Sequence, residues 1–211
     1  MSGYQVLAQA SNAIRDVLFD TLKNVKLTAG QDAPSEASKW ISLAQPPDLD
    51  TDVGDLRLSL WLYFVSENEH AKNRPPSFAA DGTIKPPPLA LTLYFLVTPL
   101  SGKNDVNAPS SNQTILGAVL EAFHNEPIIR LQQLAADSVP PVIAASEELH
   151  LSLCRLSVEE LTRIWEALKF SYRLSVCFKV SVVRIESANI TIGAPVVERK
   201  FIAGRLKQNA S

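Results

Sequence analysis

The side chains that could carry catalysis or hold a metal are few: His70, His124 and His150, the cysteines Cys154 and Cys177, and the adjacent carboxylates Glu147–Glu148 and Glu159–Glu160. A reactive site needs nucleophile, base and orienting group brought together, and a zinc site needs nitrogen or sulfur ligands at regular spacing. None of the histidines has a carboxylate, a cysteine or a second histidine at a metal-motif spacing. His70 falls in a polar segment and His150 on a strand, opposite its leucines. His124 closes a helix, where a protonated imidazole suits the dipole. Glu159 and Glu160 sit where a helix start attracts acids. With only 8 glycines, the chain has no phosphate-cradling GxxxxGK[ST] or GxGxxG loop and no GxSxG elbow. Trp40, Trp61 and Trp165 are scattered, as core or interface anchors are, and do not form a base-stacking platform. Motifs alone therefore predict a binding or structural protein, without catalytic residues, cofactor or metal.

Composition narrows the class further. The chain has 211 residues, 46% hydrophobic and 20% charged, with 20 Lys and Arg against 22 Asp and Glu. A chain of this size buries roughly 70% of its unfolded surface and needs no staples. The net charge of −2 gives no excess of cations to neutralise phosphates, which argues against nucleic acid as a partner. The longest apolar run, Leu89 to Val97, is about nine residues against the roughly 20 of a membrane span. The N-terminus lacks a basic segment followed by an apolar one. The expectation is a soluble protein in the cytoplasm of the producing cell. Cys154 and Cys177, both in alternating apolar segments, read as buried free thiols and not as a disulfide framework.

The elements that position these residues follow from periodicity. Val6, Leu7, Ala10, Ile14, Val17, Leu18 and Leu22 recur at helical steps, with Ser2 and Gln5 at capping-box spacing and an end near Asn24. Residues 28–55 are irregular, broken by Pro34, Pro46 and Pro47, with a short strand around Lys39–Ala44. Leu56, Leu58, Leu60, Leu62 and Phe64 then alternate with Arg57, Ser59, Trp61, Tyr63 and Val65, as a half-buried strand requires. Residues 66–88, rich in proline, read as a long loop at the tip of a hairpin whose second strand is LALTLYFLVTP. A helix from about Asn112 to His124 carries Ile115, Leu116, Val119, Leu120 and Phe123. A short strand or turn follows at 128–134, and Pro140–Pro141 mark a break. Residues 149–156 alternate as a strand. Ser157 and Glu160 form a capping box for a helix bearing Leu161, Ile164, Trp165 and Leu168. In the last long strand Tyr172, Leu174, Val176, Phe178, Val180 and Val182 share a face; Trp165, Tyr172 and Phe178 are assigned to the core. The fold class is α/β of the α+β type: a mainly antiparallel or mixed sheet with a long hairpin, covered by helices. Residues 1–200 form one domain and 201–211 a flexible tail.

Several segments, in order, resemble one family: LRLSLWLYFVSEN with the following NRPP, PPLALTLYFLVTP, ILGAVLEAFHNEPII, and LHLSLCRLSVEELTRIWEALKFSYRLSVCFKVSVVRI. This pattern, from about residue 4 to about 199, is similar to the N-terminal domain of the cap, or tail-terminator, proteins of contractile injection systems. These are phage-tail-like particles related to the antifeeding prophage and the Photorhabdus virulence cassette. The resemblance implies a tail-terminator-like fold and a structural role without enzymatic activity. Such proteins form rings, expected to be hexamers, on the ends of the inner tube and sheath furthest from the baseplate. There they stop polymerisation and fix particle length. The implied partners are copies of the same chain, the tube protein and the sheath protein, with no nucleic acid and no direct membrane insertion. The chain would be incorporated into the particle. The further C-terminal domain that some members carry is expected to be absent.

No catalytic motif comes with the resemblance. The expected contacts with tube or sheath are Asn73, Arg74, Pro75 and Pro76 at the hairpin tip, then Arg57, Trp61 and Tyr63 on the less apolar strand face. The plainer reading of those last three is coverage by a helix of the same domain. The alternative function is another tail component, such as a tube-completion or connector protein, without sheath contact.

Overall fold

Alternating apolar segments pair into a six-stranded sheet in the computed structural model, which describes residues 5–25, 35–47, 53–71, 74–78, 83–101, 107–130, 148–185 and 191–192. The strands of this sheet are β1 (Ile41–Ser42), β2 (Leu58–Glu67), β5 (Leu89–Pro99), β6 (Ile128–Arg130), β7 (Glu148–Cys154) and β8 (Val176–Ile185). Their order is β1-β2-β5-β8-β7-β6. All neighbours are antiparallel except β1 and β2, which run parallel. The expected hairpin is the β2–β5 pair.

One face of this sheet is covered by α1 (Val6–Leu22) and α2 (Ala108–Asn125). α1 packs on α2 and over β8 and β6, and α2 packs over β5. Val6, Ala10, Ile14, Leu18 and Leu22 meet Ile115, Val119 and Phe123 above Leu58, Leu60, Leu93, Phe95, Val97, Leu149, Leu151, Phe178 and Val180. Phe123 stands edge-on to Phe178 with centroids 4.5 Å apart. Each fully buried side chain of this kind contributes on the order of 2 kcal/mol through the apolar area it removes from water.

Both of these helices depart from expectation at their starts. α1 begins at Val6 with Gln5 at the N-cap and no side-chain cap bond, so Gln5 is not the third residue of a capping box; Ser2 lies outside the described residues. α2 begins at Ala108, earlier than expected, with a proline in its first turn. Proline is tolerated there because the first-turn N–H it lacks has no partner within the helix. On α2, Leu120 is exposed and Ala118 and Ala122 are buried in its stead. The strand expected around 39–44 is shorter, Ile41–Ser42, and follows a 3-10 turn at Ala37–Lys39.

α3 (Val158–Leu168) starts as the sequence dictates. Ser157 Oγ accepts from the Glu160 N–H at 3.2 Å, and the Ser157 N–H donates to Glu160 Oε2 at 2.7 Å. The Ser157 backbone N–H, and after it the Ser157 hydroxyl, hold the exposed Glu160 carboxyl below its ordinary range. Trp165 is 1% exposed and donates Nε1–H to Ser175 Oγ at 3.2 Å. The Arg173 guanidinium lies 5.2 Å from the indole centroid and donates to the Pro47 carbonyl. These contacts tie α3 to the start of β8.

Two bulges overturn the strict alternation expected of β2 and β8. Leu62 faces Phe95 and Phe64 faces Tyr94, leaving Tyr63 as an extra residue in β2. An extra residue reverses which face each later side chain occupies. Phe64 therefore leaves the leucine face and is 54% exposed. In β8, Leu91 faces Val183 and Thr92 faces Ser181, so Val183 takes the buried position. Tyr172, expected in the core, is exposed together with Leu174, because both precede the strand.

The proline-rich segment is not loop throughout. A 3-10 turn at Glu69–Ala71 leads to β3 (Ser77–Phe78) and β4 (Thr83–Lys85). These join β9 (Thr191–Ile192) in a second sheet of order β3-β4-β9. The breaks expected at Pro34 and Pro140–Pro141, and the tail 201–211, lie outside the described residues.

Candidate functional site

The sheet face opposite α1 and α2 carries two of the expected contact residues, Trp61 and Tyr63. Trp61 and Tyr63, both half-buried, have ring centroids 6.0 Å apart. Tyr94 joins Tyr63 at 6.4 Å and Phe64 at 5.3 Å. The bulge thus produces a four-ring aromatic strip across β2 and β5. Sequence reasoning missed Phe64 and Tyr94. The extra residue that redirects Phe64 has no local signature, whereas Tyr94 could be found from the alternation of β5 alone.

Tyr63 is anchored from below. Its Oη and Cys177 Sγ are 3.2 Å apart. Burial, then the bond to Cys177, pushes the Tyr63 phenol well above its ordinary range. Burial likewise raises the Cys177 thiol to about 12. Both groups are therefore neutral at physiological pH, as suits a packed support.

Beside the strip lies an open groove of about 690 Å³. Thr92, Tyr94, Lys179 and Ser181 form part of its floor, and Glu67, Glu69, His70 and Arg74 line it together with Arg184. Lys179 and Ser181 alternate with buried Phe178 and Val180, which is the signal that places them on this face. The lining mixes both charge signs with hydroxyls and one aromatic. Such a lining can orient a polar partner segment through hydrogen bonds and ion pairs.

The expected contacts divide between two places. Arg74, Pro75 and Pro76 are exposed, and Arg74 reaches the groove; Asn73 lies outside the described residues. Arg57 stands apart, ahead of β2. Its guanidinium donates to the Gly54 carbonyl at 3.3 Å and the Leu56 carbonyl at 3.1 Å, a contact within the local turn.

The histidines stay dispersed. His70 lies in the 3-10 turn, where its backbone N–H donates to Asn68 Oδ1 at 3.1 Å. His124 is in the last turn of α2, and His150 Nε2 lies 3.9 Å from Glu148 Oε2 on an exposed strand surface. Among the described residues no group of three or more His, Cys, Asp or Glu is arranged to hold a metal. No helix among them is long and apolar enough to cross a membrane.

Comparison with known proteins places this architecture. Its fold is similar to that of the PVC sheath/tube terminator, part of an extracellular contractile injection system solved by cryo-EM in the extended state, with a TM-score of 0.63 and 17% identity over 96% of this chain. It is also similar to the tube-terminating cap of the anti-feeding prophage, with a TM-score of 0.59 and 18% identity over 96% of this chain. The chain spans 65% and 63% of the lengths of those two proteins. No curated protein matches it by sequence. Residues 9–199 match the Pvc16 N-terminal domain. The chain belongs to the Pvc16 N-terminal domain family.

Proposed function

We propose that this chain is a tail terminator of a contractile injection particle. It assembles as a ring, a hexamer in this reading, on the distal end of the inner tube and sheath, ends their polymerisation and so fixes particle length. The role is structural, not enzymatic. The chain is made in the cytoplasm and incorporated into the finished particle. The observation that carries the proposal is a fold shared with sheath/tube terminators across 96% of the chain, within a family matched over residues 9–199.

The surface supports the reading. A ring uses heterologous contacts, so each subunit needs two different complementary patches. Among the described residues, β1 covers only Leu58 and Ser59 of β2, so the rest of that edge can accept a strand from a neighbour. The aromatic strip beside it, Trp61, Tyr63 and Phe64, supplies apolar area of the kind that anchors interfaces. The second ring patch is assigned to the N-terminal helix or the long loop, and a separate contact with tube or sheath to the rim at Arg74, Pro75 and Pro76. Near-neutral charge lets copies pack closely without self-repulsion.

The test is to add purified chain to isolated tubes and image the ends, with light scattering of the 23.1 kDa subunit in parallel. Ring density of about six subunits at tube ends is expected. Tube ends that stay bare at saturating concentration would overturn the proposal, and rings that bind tubes but leave sheath free would favour a tube-completion role.

A further inference from the structure

Cys154 and Cys177 are distant in sequence and directly opposite each other in the β7–β8 ladder. Facing residues of an antiparallel pair have Cα atoms about 4.5–5.5 Å apart and side chains on the same face. A disulfide needs Cα atoms about 4.4–6.8 Å apart. The strand register therefore places the two residues at a Cα spacing that a disulfide can span. Both are free thiols, Cys154 half-buried and Cys177 buried.

We propose that Cys154 and Cys177 form a redox modification site, in which a small peroxide oxidises the dithiol to a cross-strand disulfide tying β7 to β8. Cys154 is the sulfur the oxidant reaches. Its thiolate attacks one peroxide oxygen, the O–O bond breaks, water leaves and Cys154 becomes a sulfenic acid. The Cys177 sulfur then displaces the sulfenic oxygen. The S–S bond forms, and the Cys177 proton departs with that oxygen as a second water. Two thiols lose two electrons in all and one peroxide accepts them. Cys177 is buried and Cys154 is not, so Cys154 meets the oxidant first and Cys177 is left to resolve the intermediate. The new bond closes a loop that contains all of α3 and takes the Cys177 S–H out of its contact with Tyr63.

The full chain, reduced and then treated with hydrogen peroxide, is digested without reductant and read by mass spectrometry. The expected product is an intramolecular Cys154–Cys177 peptide, with the intact mass lower by two hydrogens and restored by dithiothreitol. In Cys177→Ala, sulfenic Cys154 persists and is trapped by dimedone, whereas the wild type traps at least tenfold less. Cys154→Ser, changed at the more exposed partner, leaves Cys177 a free thiol under the same treatment. Three results would overturn the proposal: equal dimedone trapping in wild type and Cys177→Ala, dimers linked through Cys154, or two thiols still free after peroxide.

Discussion

Phe64 stands opposite Tyr94 across the β2–β5 pair, its ring 5.3 Å away. Two residues earlier on the same strand, Leu62 stands opposite Phe95 on the other face, and Phe95 is 1% exposed. The single extra residue at Tyr63 makes that exchange, and it turns an apparent core phenylalanine into part of a surface strip.

The exchange predicts opposite outcomes for two phenylalanine truncations. Phe95→Ala loses a buried ring and leaves a cavity, costing about 3–5 kcal/mol. Phe64→Ala loses mainly its contact with Tyr94, costing about 1 kcal/mol, and weakens ring or tube assembly. Urea denaturation beside an assembly assay separates the two. A Phe64→Ala variant as unstable as Phe95→Ala would place Phe64 in the core.

The α3 cap predicts a pH dependence. Ser157→Ala removes the side-chain acceptor for the Glu160 N–H and costs about 1 kcal/mol. The Glu160 carboxyl titrates below its ordinary 4.5 in the folded chain. Its contribution is therefore fully present above that value and is lost as pH falls through the lower, folded one. The stability gap between wild type and Glu160→Gln should hold at neutral pH and close as the pH falls below 4.5 and on through the lower, folded value. Denaturation midpoints across pH read this directly; a gap that widens in acid would contradict it.

Ser175 holds the buried Trp165 indole in register. Its Oγ accepts from Trp165 Nε1 and donates to the Arg173 carbonyl at 3.2 Å. Ser175→Ala leaves the indole N–H buried without that acceptor, a loss of about 1–3 kcal/mol. Thermal melting monitored by tryptophan fluorescence is the readout, and an unchanged midpoint would mean that the bond adds nothing.

Arg74 is exposed at the rim of the groove. Arg74→Glu should alter folding stability by less than about 0.5 kcal/mol, as surface changes do, while lowering the fraction of capped particles. Unchanged capping would remove Arg74 from the contact surface.

Much of the scaffold was legible because periodicity reports burial. The leucines of β7, the capping box of α3 and the apolar β5 are each visible within a single short window. The bulges at Tyr63 and in β8 were not, since an extra residue is defined only against the partner strand. The pairing in the small sheet β3-β4-β9 was hidden for a related reason: Ile84 pairs with Thr191 across much of the chain, and strands as short as β3 and β4 carry too little alternation to register. At the candidate site, Trp61 and Tyr63 could be chosen by their strand face. Their union with Phe64 and Tyr94, and the sharing of one groove by Arg74 and Lys179, depended on tertiary pairing.

The central claim, termination of the tube and sheath, is tested most directly by deleting the gene in the producing strain and measuring particle lengths by electron microscopy. The account predicts a broad distribution of overlong or unfinished tubes, returned to a single length by a plasmid copy. A length distribution identical to that of the parent strain would contradict it.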